Sequence, residues 1–241
     1  MSRGDIFARR APADRGRVVA AAAVVTPILP SAIAGYCWDL NPEVGITYGA
    51  GGAGAGLVAA ISDQSPSAAH ALQGTPALQA TRIVADASFN GHDSIDHTVL
   101  DSSLQIVTPL GIRHIFAVAR YPGTTFAFFQ NLVSRTPFAN IWQGEAGVAT
   151  WRTVDNIPST NVRDGITTAV ALSASNDPHV HESVLNALDT SSTWMVGASA
   201  GAGSGRQWQG RWARIVAFNV PVTGADLAGL RLYLKQRYGT P

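Results

Sequence analysis

The feature that most constrains this chain is a train of short, β-rich segments that begin every ten to fifteen residues, with no helical pattern between them. Residues 112–119 (IRHIFAVA) are the clearest, because β-branched and aromatic residues dominate and the run stops at the Tyr121-Pro122-Gly123 turn. Residues 125–133, 139–143, 147–152, 165–173, 180–185 and 193–198 follow in the same style, separated by Gly, Pro, Asn, Asp or Ser clusters. Parallel strands need a long crossover, commonly a helix, so this spacing predicts antiparallel pairing. No fixed-period repeat is present, which disfavours propellers and solenoids. The expected architecture is all-β, an antiparallel β-sandwich in jelly-roll order, with an extended N-terminal arm and one C-terminal α-helix.

Composition agrees with short strands and many turns: 24 glycines, 13 prolines and only 14% charged residues in a chain of 241. A net charge of +1 gives no bulk electrostatic reason to expect nucleic acid or a membrane surface as partner. The cations are 16 Arg and the single Lys235, with five of the Arg in the first seventeen residues. The one cysteine, Cys37, excludes an intramolecular disulfide, and its place beside Trp38 predicts a small buried hydrophobe.

Both ends depart from the β pattern. Residues 1–17 are polar and Arg-rich, residues 18–30 form an apolar run, and Ser31-Ala-Ile-Ala34 resembles a small-residue cleavage site, which together make a passable secretory signal. Against that stand Asp5 and Asp14 in the basic stretch and Pro27 and Pro30 in or at the end of the apolar one, and the run is too short to span a bilayer. The preferred reading divides the chain into an arm, 1–34, and a sandwich domain, 35–241. Ile6, Phe7, Val18, Val19, Val24, Val25, Ile28 and Leu29 would bury themselves on neighbouring subunits. Arg3-Gly4-Asp5 is a chance triplet on this reading.

At the other end, residues 210–219 alternate, with Trp212, Arg214, Val216 and Phe218 expected on one face of a buried strand and Ala213, Ile215, Ala217 and Asn219 on the other. Pro221 ends it. Thr223 with Asp226 reads as a capping-box-like start, Leu227, Leu230, Leu234 and Tyr238 recur at helical spacing, and Gly239 supplies the stop.

This strand-turn-helix resembles the C-terminal signature of bacterial and phage proteins with a concanavalin A-like (laminin-G-like) lectin/glucanase jelly roll. Asp63-Gln-Ser65 and His70-Ala71 stand at that family's Asp-Gln-Ser-Gly and His-Ala positions, with Ile61 in place of its Trp and Pro66 in place of its Gly. Residues 82–95 match a further edge, so the resemblance brackets 35–238. It implies the jelly-roll fold and a lectin-like module.

The glucanases of that family carry a Glu-x-Asp-x-Glu pair for general acid and nucleophile. Here Glu43, Glu145 and Glu182 lie far apart, so no catalytic residue is assigned and the chain is read as non-enzymatic. Asp93, Asp96 and Asp101 cluster in what reads as a solvated loop. His92 and His97 beside it, and His179 with His181 on one strand face, lack the frame of a metal site, so no metal or cofactor is expected. Gly203-Ser204-Gly205 lacks the nucleophile elbow, and the Gly-rich loop at 49–56 lacks the Lys of a phosphate loop. Trp142, Trp151, Trp194 and Trp208 are the side chains that could stack on a surface glycan.

The function expected from these readings is a virion structural protein of a tailed phage or phage-like particle: a capsid decoration, head-fibre or tail-associated component. Its partners would be capsid or tail subunits and other copies of itself. The alternative is a secreted or cell-surface carbohydrate-binding module with a cleaved signal.

Overall fold

The computed structural model describes residues 24–49, 51–98, 102–123, 130–136, 139–144, 146–147, 159–167, 176–190, 193–198 and 206–241. In chain order the strands are β1 (Tyr36–Leu40), β2 (Ile46–Tyr48), β3 (Val58–Ile61), β4 (Ala71–Leu72), β5 (Thr81–Asp86), β6 (His92–Asp96), β7 (Leu104–Ile106) and β8 (Ile112–Arg120). They continue with β9 (Gln130–Arg135), β10 (Ala139–Gly144), β11 (Ser159–Arg163), β12 (Ile166–Thr167), β13 (His179–Asp189), β14 (Trp194–Val196) and β15 (Arg211–Phe218), and helix α1 (Gly224–Tyr238) follows.

Two antiparallel sheets form, as the strand spacing predicts. The first runs β12-β11-β13-β8-β15-β6-β5, and the second runs β10-β9-β14-β7-β4-β3-β2. On one side of β15, two strands share the ladder: β6 pairs with its start, Trp212 opposite Ile95, and β1 with its end, Leu40 opposite Ile215. Between the sheets lies a core that includes Trp38, Ile61, Leu104, Ile115, Trp142 and Trp212, all fully buried. A second cluster lies on the outer face of the first sheet, where Phe116, Val216 and Phe218 meet Leu230, Leu234 and Tyr238 of α1. The molecule therefore has three layers: sheet, sheet and helix.

Several local expectations are corrected. The register of β15 against β8 slips between Trp212 and Arg214, so the strict alternation breaks there. Trp212 joins Ile215 and Ala217 in the inter-sheet core, whereas Ala213, Val216 and Phe218 face the helix. Thr223 occupies the N-cap position in extended conformation but its side chain caps nothing; Gly239 does end the helix, in left-handed conformation, as expected. Cys37 is buried as expected, and burial pushes its thiol up to about 12.

The chain joins the domain before residue 35. Pro30 opens a 3-10 turn, Pro30–Ala32, and both it and Ile33 are buried, Ile33 in the helix-side cluster. Ile28 packs partly against that same cluster. Ile6, Phe7, Val18 and Val19 lie outside the described residues. Among the described residues no helix is long and apolar enough to cross a membrane.

Candidate functional site

The helix-facing side of the first sheet concentrates the unusual chemistry. Alternation on β13 turns Val180 and Glu182 toward α1. Glu182 is buried and meets two partners: His114 of β8 through Nε2 at 3.0 Å, and Arg231 of α1, whose Nε and Nη2 donate at 2.7 and 2.9 Å. The backbone N–H of Val222 donates to His114 Nδ1 at 3.0 Å, so the imidazole proton resides on Nε2 and points at Glu182. Burial alone would raise the Glu182 carboxyl, but the hydrogen bonds from His114 and Arg231 outweigh it and hold it below the usual range.

A second buried pair joins β1 to β15. Arg214 donates from Nε and Nη2 to the two oxygens of Asp39, at 2.8 and 2.6 Å, and from Nη1 to Tyr233 of α1 at 3.2 Å. The Tyr36 hydroxyl also donates to Asp39. Burial works against the Arg214 cation, yet Asp39 pushes its pKa above the ordinary value, so it stays charged. Glu43 makes a third link, to Arg237 at the end of α1 and to His92. The helix is thus tied to the sheet by charge as well as by its leucines.

Across this helix runs the end of the N-terminal stretch. The Ile28 N–H donates to the Gly229 carbonyl at 3.1 Å. A Cβ on Gly229 would stand 2.6 Å from Ile28 Cγ1 and 2.7 Å from the Thr26 carbonyl oxygen, so only glycine admits this crossing. Of the expected arm residues, Ile28 therefore packs on its own domain, while Val24, Val25 and Leu29 are 93%, 46% and 56% exposed.

The other expected sites separate in space or serve the fold. Asp63, at the motif that carries the resemblance, accepts from the backbone N–H groups of Asp39, Ser65 and Ala69 and from the Ser65 hydroxyl. Its own N–H donates to His70 Nδ1. The motif is a loop staple with its carboxylate filled. Asp93 accepts from Arg82 and from the Ala85 N–H; Asp96 accepts from Arg211 and the Thr98 N–H; Asp101 lies outside the described residues. His97 is fully buried, accepts from the Trp212 indole at 3.1 Å, and burial lowers it to about 4. Among the described residues no group of three or more His, Cys, Asp or Glu could hold a metal.

His179 and His181 do share a face, with ring centroids 6.2 Å apart. His179 Nδ1 lies 2.6 Å from Asp164, and burial lowers His181 to about 3 where it sits beside the Trp142 ring. The stacking expectation is corrected for Trp142, Trp194 and Trp208, which are buried in the inter-sheet core and present no face to a sugar. Trp151, Glu145 and Ser204 lie outside the described residues. The ion pairs behind the helix are the feature that sequence reading missed. Their signal in the sequence is Arg214 inside the apolar run 212–218; Glu182, between His181 and Ser183, gives none.

Comparison with protein-family models, with curated proteins and with solved structures finds no match to this chain.

Proposed function

We propose that this chain is a non-enzymatic structural protein of a virion, a decoration, fibre or tail-associated component of a phage-like particle. On this reading its sandwich is a concanavalin A-like jelly roll facing outward, and the N-terminal stretch anchors it to neighbouring subunits. One observation carries the reading. The chain reaches its domain over α1 with Val24, Val25 and Leu29 in water, on a stretch whose preceding residues 18–23 are also apolar. Apolar side chains held in the open beside an ordered crossing gain stability only when a partner covers them. The resemblance of residues 35–238 to the lectin-like family supports the outward-facing module. The burial of Trp142, Trp194 and Trp208 weighs against the alternative of a sugar-binding groove built on them.

Deletion of residues 1–29 tests this, because it removes every expected arm residue from Ile6 to Leu29 and stops short of the buried Pro30. The truncated protein is expected to keep its cooperative unfolding and to lose co-sedimentation with the particle. Undiminished co-sedimentation by a folded truncation overturns the proposal.

A further inference from the structure

We infer that the groove at Gly229 is an exchange site: in the assembled state it receives the 24–29 segment of a second copy of this chain. This rests on the reading of the N-terminal stretch as an assembly arm. The groove fits this segment in particular. Its floor is a glycine because Ile28 and the Thr26 carbonyl approach to within 2.7 Å of where a Cβ would stand, and its Gly229 carbonyl is bonded by the Ile28 N–H. A second copy brings the same Ile28 and the same backbone. A partner of other sequence would have to reproduce both.

The hold in one chain is small. Seated on its own helix, the segment commits one isoleucine and one backbone hydrogen bond to α1, and leaves Val24 almost wholly and Val25 and Leu29 about half in water. Undocking therefore breaks little, and docking on a neighbour restores all of it. Exchange of an identical element between protomers is a low-cost route to association. The connection also permits it: Leu29 is already extended, and the three-residue 3-10 turn that begins at Pro30 can open without breaking a strand. Residues 18–29 carry no charge, so two such segments can lie close together without repulsion, and the three exposed side chains gain cover from the second body.

Mixing two variants that each gain one cysteine, Ile28→Cys and Gly229→Cys, under mild oxidation separates the alternatives, since a bond between the new cysteines can form only between chains. Cys37 does not compete, being buried with its thiol pushed up to about 12. A covalent heterodimer on a non-reducing gel is the expected result, together with a self-associating wild type in light scattering. No heterodimer, while the Ile28→Cys/Gly229→Cys double variant closes its bond within one chain, overturns the exchange. So does a wild type that stays monomeric at high concentration. Because both new cysteines disturb the crossing, Gly229→Ala gives an independent measure. Alanine favours the helix yet obstructs Ile28, so self-association should weaken at least tenfold with the helical signal unchanged, and unchanged association also refutes the proposal. If the 1–29 deletion still associates fully, the arm reading itself fails; if the deletion is monomeric but the cysteines pair only within chains, exchange alone fails.

Discussion

The two faces of the first sheet bury their side chains by different physics. Toward the second sheet the contacts are mainly apolar and aromatic, with Trp38, Ile115 and Trp212 packed among leucines, isoleucines and other tryptophans and with His97 and His181 interrupting them from the first sheet's side. Toward α1 the same strands present apolar residues interleaved with charge: Arg214 on Asp39, and Glu182 between His114 and Arg231. The apolar face gains from every buried methylene regardless of direction. The ion pairs of the helix-side face gain little from burial as such and work only when each partner is in place. The sandwich core should therefore set how stable the molecule is, and the ionic links should set where the helix, and the chain that crosses it, are held.

The sharpest way to break that contrast is Trp212→Ala. It opens a large cavity between the sheets and leaves His97 without its indole donor, so a loss of about 5 kcal/mol is expected in denaturant unfolding. A loss under about 2 kcal/mol would show that this face is not the dominant core. Asp39→Asn should follow at about 3 kcal/mol, because it strands the buried Arg214 cation. The double variant Asp39→Leu/Arg214→Met should recover to within about 1 kcal/mol of wild type, since a matched apolar pair needs no partner. A double variant as unstable as Asp39→Asn would mean that the pair contributes more than it costs to desolvate, and the contrast between the faces would blur.

The same contrast explains what the sequence disclosed. β-branched and aromatic content bounded by a turn made 112–119 readable, and apolar residues three or four apart made the helix after Thr223 readable. The phase slip at Trp212 was not readable, since a bulge is set by how β8 and β15 meet and not by β15 alone. The ion pairs were hidden for a similar reason. Arg214 and Asp39 are 175 residues apart, Glu182 and His114 68, and an isolated charge in a strand looks like solvated surface until its partner is known. The crossing at Gly229 was equally silent, because an apolar stretch at an N-terminus has the composition of an arm whether it packs on its own helix or on another chain. The tryptophans illustrate the converse: their identity invites sugar stacking, but only the sheet-to-sheet packing reveals that three of the four are covered.

The smallest expected effect divides the faces by pH. His97 and His181 are fully buried on the sandwich side, and burial lowers them to about 4 and about 3. In the unfolded chain each titrates near 6.5. Between those values the unfolded state binds protons that the native state does not, so stability falls as pH drops, by about 1 kcal/mol per histidine from pH 7 to pH 5.5. The helix-side carboxylates act elsewhere: Glu182 and Glu43 are held below the usual range, so their contribution is complete above about pH 5 and is lost only in more acid solution. Denaturant unfolding from pH 7 to pH 5.5 should thus report mainly on the buried histidines. His97→Gln keeps a neutral acceptor for the Trp212 indole and removes one titration, so about half of that decline should vanish whatever the variant's stability at pH 7. An undiminished decline in His97→Gln would show that His97 is not where the proton is taken up.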